Sequence, residues 1–547
     1  MKDTPIPLMP NEKLNSVVDY VNMIADRYQN LAIFKMRSKG AFSEHTFNEY
    51  RQDCFRLAQA LINSGLSGKR ILMLAESRYE HIVCLIATML AGSVYVPVSA
   101  ETDIEKLAAM SVFVEAESMF VSNETKEIAE KMTLAGVPIK RIINLDDDSA
   151  DGYIGMIANC TAYDTGAFYG DFDKRVPSVF CFTSGTTGNK PKCVMLSAGN
   201  FFASVRHNTY QFVNTASDYV GTNLYSPLPM FHLGWHIVAF FYAFPMGLSM
   251  STSRSPKDCF RDISFYGPLF MQTVPVLGDA IFSFIENEIR VAGDWEWFEQ
   301  YKKECDDGLH PFEERRELCR KYTGILGKNL VCMSLAGAQT TPQLAKRIEY
   351  FGIPATCDYG TTECSIASFD QRKVRKYGAV GRVMPYIEAK IVDGVLFFKG
   401  ENIMLGYYKN PDATKATLSE DGWYCTGDLA EIDEDGYLFI KGRANNIVVL
   451  SNGENIDTDE LSGTFLASPA IREIVLLPDL KNNSDTLVAL IYPAEGETQE
   501  TVAKTMADIN RTLPLQKRVS RFRLVDKPFE KNEMMKIKRY LYRDAEI

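Results

Sequence analysis

The chain has 547 residues, of which 46% are hydrophobic and 24% are charged, and its formal net charge is -11. This length exceeds one ordinary domain, and the composition is that of a globular protein rather than of a disordered or fibrous chain. The acidic balance argues against a general role in nucleic-acid binding.

The first 180 residues alternate helix-like and strand-like patterns. Residues 47–64 predict an amphipathic helix, 70–75 a short buried strand, 81–91 a second helix and 93–98 the next strand. This alternation is typical of parallel strands joined by crossover helices, and it continues to about residue 385. The sequence therefore predicts an α/β fold with layers of helices on parallel sheets.

The most apolar run, residues 237–250, is interrupted by Pro245. It is shorter than the roughly 20 residues of a membrane-spanning helix, so we expect a core helix, with peripheral membrane contact left open. The first fifteen residues lack the apolar stretch of a signal peptide. The twelve cysteines include no CxxC pair and no Cys/His cluster at metal-binding spacing, which favours a reducing, cytoplasmic setting.

The sequence pattern changes after residue 385. Residues 388–399 and 436–441 read as hairpin strands, with turn residues at Asp393-Gly394 and Asp435-Gly436. About 100 further residues predict strands, one amphipathic helix and a basic tail. We therefore predict a large N-terminal domain (1–442) with a β-rich subdomain, and a small α+β C-terminal domain (443–547) after a hinge near 443–446.

A loop rich in glycine and hydroxyl groups follows the strand-like run 179–182. Its glycines let the backbone approach an anion, its hydroxyl and N–H groups suit phosphate oxygens, and Lys192 adds a positive charge. The loop differs from the Walker P-loop pattern, and a flexible surface turn has a similar composition. The candidate phosphate-binding residues are Thr183, Ser184, Gly185, Thr186, Thr187, Gly188 and Lys192.

Two later clusters suit other parts of a nucleotide. Residues 358–363 combine an aromatic ring that can stack on a base with a carboxylate that can hold Mg²⁺. In the second cluster, Asp428 can accept from both ribose hydroxyls, and Arg443 can bridge ribose and phosphate. Taken singly, these residues also fit an ordinary turn and a surface charge.

In this order and spacing, the three clusters resemble the adenylate-forming superfamily of acyl-CoA synthetases, peptide-synthetase adenylation domains and luciferases. Residues 229–232 are similar to its aromatic-His motif, 336–338 to a small-residue strand end beside the nucleotide, and 400–408 to a further family segment. Six ordered motifs, spread over nearly the whole chain, make coincidence negligible. The resemblance implies that the chain uses ATP to convert a carboxylic acid into an acyl-adenylate.

The resemblance also implies roles for individual residues. The loop 183–192 would hold the β- and γ-phosphates of ATP, Tyr359 would stack on adenine, and Asp358 would accept from the adenine amino group. Asp428 would hold the ribose hydroxyls, with Arg443 nearby. The implied nucleotide-binding positions outside the loop are Gly337, Ala338, Asp358, Tyr359, Gly360, Asp428 and Arg443.

Catalysis in the family depends on neutralising negative charge at the reacting phosphate. The resemblance implies that Glu363 binds Mg²⁺, with Thr183 as a second ligand, and that Thr362 contacts the α-phosphate. His232 belongs to the aromatic-His motif, and Lys536 occupies the place of the catalytic lysine of the C-terminal domain.

In the family, the small C-terminal domain then rotates and opens a channel for the acceptor thiol. Gly453, in the turn 451–455, would let the pantetheine arm of coenzyme A pass. Three positions depart from the family pattern: Asn445 at the hinge, and Cys193 and Met535 where glycine is common. None of these departures removes a charge that the chemistry needs.

The acyl pocket of the family lies beyond the aromatic-His motif. Here that region is apolar, with Trp235 and the aromatic run 240–244, and it lacks the Asp that holds an α-ammonium in amino-acid-activating domains. The charged and aromatic insertion 286–328 resembles that of long-chain fatty acid CoA ligases. These features predict a medium- or long-chain fatty acid, although the same aromatic residues also fit plain core packing.

Two acceptors remain open at this stage. The chain is either a free-standing acyl-CoA synthetase, with ATP, coenzyme A and a small carboxylic acid as its substrates, or a ligase that loads an acyl carrier protein. It contains no fused carrier domain. A nucleotide-binding pseudoenzyme is a third alternative, and the retention of Glu363, Asp428, Arg443 and Lys536 argues against it.

Overall fold

The computed structural model describes residues 14–38, 41–183, 192–207, 219–327, 330–370, 374–443, 447–449, 455–479, 486–531 and 537–542. Helices and mostly parallel sheets alternate along the first two thirds of the chain, as the sequence predicts, so the α/β class is confirmed.

The α-helices are numbered here in chain order. They are α1 Val17–Tyr28, α2 Phe47–Asn63, α3 Glu80–Leu90, α4 Ile104–Phe113, α5 Lys126–Leu134, α6 Tyr153–Asn159, α7 Ala198–Arg206, α8 Leu233–Val238, α9 Cys259–Tyr266, α10 Pro275–Val291, α11 Trp295–Asp306, α12 Phe312–Leu318, α13 Pro342–Glu349, α14 Pro411–Thr417, α15 Thr458–Leu466 and α16 Gln499–Thr512.

The strands are numbered in the same way. They are β1 Ala32–Ser38, β2 Ala41–Thr46, β3 Arg70–Leu74, β4 Val94–Pro97, β5 Ser118–Val121, β6 Arg141–Asn144, β7 Pro177–Phe182, β8 Cys193–Ser197, β9 Asn223–Tyr225, β10 Ser249–Thr252, β11 Phe270–Thr273, β12 Cys332–Leu335, β13 Ala355–Thr361, β14 Ser365–Phe369, β15 Arg382–Val383, β16 Glu388–Val392, β17 Val395–Lys399, β18 Gly406–Tyr407, β19 Tyr424–Ile432, β20 Leu438–Arg443, β21 Ile447–Val449, β22 Asn455–Asp457, β23 Ile471–Pro478, β24 Leu487–Pro493 and β25 Val519–Leu524.

Two large sheets carry the predicted motifs. Among the described strands, one sheet has the order β18-β8-β7-β4-β3-β5-β6 and the other the order β15-β14-β13-β12-β11-β9-β10-β1-β2. In the first sheet, the neighbouring strands β7, β4, β3, β5 and β6 are parallel. In the second sheet, the neighbouring strands β13, β12, β11, β9, β10 and β1 are parallel. Loops that follow neighbouring parallel strands meet at one edge of a sheet, where ligands bind in such folds.

The predicted early elements lie within one or two residues of the observed ones. The helix predicted over 47–64 is α2, which Thr46 begins with a capping box to Glu49. The strand predicted over 70–75 is β3, four of whose five residues are buried. The local pattern was sufficient here because the buried face of each element has a clear period.

The apolar run 237–250 is buried, and its first ten residues are helical, but it is not one regular helix, and its last two residues, Ser249 and Met250, begin β10. After α8, residues Ala239–Ala243 form a π-helical turn and Phe244–Met246 a 3-10 turn, and Gly247 then adopts a φ of 67°. The insertion between β11 and β12 forms the end of α10, then α11, α12 and the 3-10 turn Thr323–Leu326. Its apolar side chains belong to a core separate from that of the α2–α3 region.

The later part of the chain has one antiparallel sheet and one mixed sheet. Strands β16, β17, β19 and β20 form one sheet, with Asp393-Gly394 at the tight turn, both at positive φ. Strands β23, β24 and β25 form another, with an apolar cluster on each of its faces. Arg443 ends β20 and residues 444–446 lie outside the described residues, so the domain boundary and the hinge stay predictions.

Candidate nucleotide-binding site

The predicted phosphate loop connects two paired strands. β7 and β8 are antiparallel neighbours, and the Thr183 N–H donates to the Lys192 carbonyl oxygen at 2.9 Å. Both ends of the loop are therefore fixed at the carboxyl end of β7. Ser184, Gly185, Thr186, Thr187 and Gly188 lie outside the described residues.

Lys192 and Glu363 meet at one aromatic side chain. The Lys192 Nζ lies 4.6 Å from the centroid of the Tyr407 ring, and the Tyr407 hydroxyl donates to Glu363 Oε1 at 2.9 Å. The structure thus brings the first and second motif clusters together. Tyr407 belongs to a segment that the sequence identified, but its contacts depend on tertiary structure and no local signal indicates them.

A tight turn between β13 and β14 carries Thr362 and Glu363. Gly360 precedes it, and an added Cβ there would lie 1.9 Å from the Ser365 carbonyl oxygen, so the backbone requires glycine at this position. Ser365 has a φ of 52°, and the register of the two strands shifts between Tyr359 and Gly360. The sharp reversal leaves the Glu363 side chain half-buried beside Tyr407.

Asp428 is the centre of a second set of polar contacts. Its side chain is 6% exposed, and Oδ1 accepts from Arg443 Nε at 2.8 Å. Oδ2 accepts from the Tyr359 hydroxyl. Asp428 lies in β19 directly opposite Arg443 in β20. Asp428 is therefore a strand residue rather than a turn residue, and Arg443 is a paired rather than an isolated charge. These contacts join the second and third motif clusters.

Asp358 lies in β13, directly before Tyr359. Its Oδ1 accepts from the Ser334 hydroxyl at 2.7 Å. Burial raises the pKa of Asp358 to about 7, and the hydrogen bond from Ser334 acts in the opposite direction. Asp358 therefore titrates near neutral pH.

The small residues predicted beside the nucleotide follow the neighbouring strand. Gly337 and Ala338 come two and three residues after the end of β12, both are exposed, and Gly337 has a φ of 77°. Because β12 and β13 are parallel neighbours, this turn and the Asp358–Tyr359 segment share one sheet edge.

The aromatic-His motif is held by contacts from α8 and from the loop that follows β3. The Met230 carbonyl accepts from His236 Nε2 at 2.7 Å, and the Met230 N–H donates to the Ser77 hydroxyl at 3.2 Å. Burial lowers the pKa of His236 to about 4, so this ring is neutral at neutral pH. The His232 ring lies against Phe231, with the centroids 4.2 Å apart. Sequence reasoning did not identify Ser77 or His236.

The aromatic residues after His232 are packed into the core. Trp235 is fully buried, and its ring lies 6.2 Å from Phe34 and 5.5 Å from His236. Phe240 contacts rings from α1 and α7, and its carbonyl accepts from the Tyr20 hydroxyl at 2.9 Å. Core packing therefore accounts for these contacts.

The remaining predicted positions are not placed. Lys536, Gly453, Asn445 and Met535 lie outside the described residues. In the part of the chain that the structure describes, no group of three His, Cys, Asp or Glu side chains could hold a metal ion. No helix among the described residues is long and apolar enough to cross a membrane. All twelve cysteines are free thiols.

Comparison with known proteins gives consistent results. A family model described as AMP-binding enzyme matches residues 24–408. The long-chain-fatty-acid–CoA ligase FadD15 of Mycobacterium bovis is 24% identical over 483 residues, covering 84% of this chain and 79% of that protein. A chloroplastic long-chain-fatty-acid acyl-carrier-protein ligase of Arabidopsis thaliana is 24% identical, covering 86% and 75%. The fold is shared with the adenylation domain of the carboxylic acid reductase of Segniliparus rugosus, which was solved with AMP and a carboxylic acid. The TM-score is 0.77 at 19% identity, and the match covers 96% of this chain and 92% of that domain.

Proposed function

The chain belongs to the AMP-binding enzyme family and is an AMP-forming acid–thiol ligase, and we propose that it converts a medium- or long-chain fatty acid into its acyl-adenylate and then into the coenzyme A thioester. ATP supplies the adenylate, and pyrophosphate and AMP are the other products.

One observation supports this proposal above all others: three clusters far apart in the sequence are joined by side-chain contacts. Tyr407 links Lys192 to Glu363, and Asp428 links Tyr359 to Arg443. Cationic, acidic and aromatic groups of this kind match the phosphates, the metal and the nucleoside of a bound nucleotide. Independent surface turns would not form such a connected set.

The proposed reaction brings two anions together. A carboxylate oxygen of the acid attacks the α-phosphorus of ATP, and the bond from that phosphorus to the oxygen bridging to the β-phosphate breaks, so that pyrophosphate leaves. The sulfur of the thiol then bonds to the acyl carbon, AMP leaves and the thiol proton is released. In this scheme Lys192 and Lys536 offset the charge that pyrophosphate carries away, and Asp428 orients the ribose.

The donor set fits Mg²⁺. Glu363 and Thr183 offer oxygen atoms, and Mg²⁺ in nucleotide sites is usually held by one or two carboxylates together with substrate phosphates. When bound, the ion would neutralise charge on the phosphate oxygens.

The proposal of a fatty acid depends on the residues that would contact the acyl chain, which are called the acyl end of the site. The segment beyond the aromatic-His motif is buried and apolar, and in this proposal the part of it that meets the acid would select an apolar tail. Similarity to FadD15 supports the same class of acid. Coenzyme A is the proposed acceptor, and a carrier-protein thiol is the alternative that the Arabidopsis relative suggests.

The test combines the purified protein with ATP, Mg²⁺ and a panel of acids, and with either coenzyme A or a phosphopantetheine-loaded carrier protein. We expect mass spectrometry to detect the coenzyme A thioester of a medium- or long-chain acid. A thioester on the carrier protein alone would select the alternative acceptor. AMP production that does not depend on any acid would contradict the proposal.

A further inference from the structure

Tyr407 lies between an acidic and a basic side chain of the candidate site. Its hydroxyl donates to Glu363 Oε1 at 2.9 Å, and the face of its ring lies 4.6 Å from the Lys192 ammonium. In the proposed function, Glu363 binds the metal ion and Lys192 binds the phosphates of ATP. The Tyr407 side chain therefore contacts both of these groups.

The backbone holds this side chain in register with both partners. β18 pairs with β8, which begins directly after Lys192, and the Tyr408 N–H donates to the Cys193 carbonyl at 2.8 Å. The Met404 N–H donates to the Glu363 carbonyl oxygen at 2.8 Å. The Tyr407 N–H donates to Thr414 Oγ1 at 2.9 Å, so α14 fixes the strand from its other side.

These contacts suit a residue that orients others. A hydrogen bond to one oxygen of Glu363 selects one orientation of the carboxylate and leaves the second oxygen for a cation, and such outer contacts commonly change metal affinity by about 10–100-fold. An ammonium over an aromatic face is restrained without losing its charge. We propose that Tyr407 is a positioning residue that sets the placement of Glu363 and Lys192 for magnesium-bound ATP; this inference rests on the proposed function.

Calorimetric titration with MgATP and with metal-free ATP tests the inference. Tyr407→Phe removes only the hydroxyl, so we expect MgATP to bind about tenfold more weakly and half-saturation to need about tenfold more Mg²⁺. Metal-free ATP should bind within about twofold of the wild-type affinity, because the ring over Lys192 remains. Tyr407→Leu removes the ring as well, so we expect it to weaken metal-free ATP binding about threefold.

The adjacent tyrosine provides a matched control. The Tyr408 hydroxyl contacts Glu115 and Arg70 away from the site, so Tyr408→Phe should leave both titrations unchanged. In a Glu363→Gln background, Tyr407→Phe should produce no further change in the Mg²⁺ requirement, whereas a loss of general structure would remain.

Two results would overturn the inference while leaving the proposed function intact. One is a Tyr407→Phe protein with the wild-type Mg²⁺ requirement, and the other is an equal loss of MgATP and metal-free ATP binding. A wild-type protein that binds no MgATP would instead overturn the proposed function, and this inference with it.

Discussion

The candidate site has a predicted nucleotide end, near Asp428 and Tyr359, and a predicted acyl end, near Trp235 and Phe240. These two regions are built from different kinds of contact. At the nucleotide end, Asp428 accepts directional bonds from Tyr359 and Arg443, whereas at the acyl end Trp235 and Phe240 pack against several rings. A polar contact depends on a few atoms, but apolar packing spreads its energy over many neighbours. Substitutions should therefore cause selective losses at the first end and combined losses of affinity and stability at the second.

The largest expected effect concerns the lysine assigned to the reaction itself. Lys536→Ala should lower acid-dependent pyrophosphate exchange by about 10²–10³-fold, because a charge that acts mainly in the transition state affects kcat more than affinity. ATP binding should stay close to the wild-type value. An unchanged exchange rate would remove Lys536 from the mechanism.

Asp428→Ala should have the next largest effect. The ribose hydroxyls lose a charged acceptor worth about 1.5–3 kcal/mol, so calorimetry should show AMP binding at least about tenfold weaker. Asp428→Asn keeps a hydrogen-bond acceptor opposite Arg443 and should lose less. Wild-type affinity in the alanine variant would show that Asp428 does not hold the nucleoside.

Trp235→Ala tests the acyl end, where the losses should combine. Loss of this fully buried side chain should cost about 3–5 kcal/mol of stability and change the chain-length preference in kcat/KM by about tenfold, with the KM for ATP nearly unchanged. Trp235→Phe keeps an aromatic ring and removes an indole N–H that has no hydrogen-bond partner among the described residues. We expect Trp235→Phe to keep the wild-type chain-length preference. A changed KM for ATP in either variant would show that the two ends of the site do not act independently.

The smallest expected effect is a pH dependence at Asp358. Its pKa is raised to about 7, so the carboxyl gains a proton as pH falls through that value and becomes a weaker acceptor for the adenine amino group. Adenosine carries no phosphate that titrates in this range, and its affinity should fall about threefold from about pH 8 to about pH 6. Asp358→Asn cannot titrate and should show a flat profile. The same slope in both proteins would assign the dependence to another group.

The sequence predicted the local elements better than the contacts between them. The strand 70–75 and the Asp393-Gly394 turn follow from periodicity and turn chemistry, and both are present in the structure. The bond from the Met230 N–H to Ser77 joins positions 153 residues apart, and no periodicity indicates such a pairing. The π-helical turn Ala239–Ala243 was also missed, since the packing around an apolar run, rather than its composition, decides where a helix changes pitch.

The candidate site shows the same division. Motif order predicted Tyr359, Glu363 and Asp428, because polar chemistry requires particular residue types, and the structure shows that the clusters holding them are joined by side-chain contacts. The bridging role inferred for Tyr407 could not be predicted, because it depends on the pairing of β18 with β8. At the acyl end, the shape of a pocket arises from the packing of many interchangeable apolar side chains, and one sequence does not reveal it.

Acid-dependent exchange of pyrophosphate into ATP tests the central claim most directly. The purified protein would be incubated with ATP, Mg²⁺ and labelled pyrophosphate, together with a medium- or long-chain fatty acid, acetate, benzoate or an amino acid. We predict exchange that requires an acid and is fastest with the fatty acid. Fastest exchange with a short or aromatic acid would overturn the assignment of the acyl end alone, and the absence of acid-dependent exchange with every acid would contradict the account as a whole.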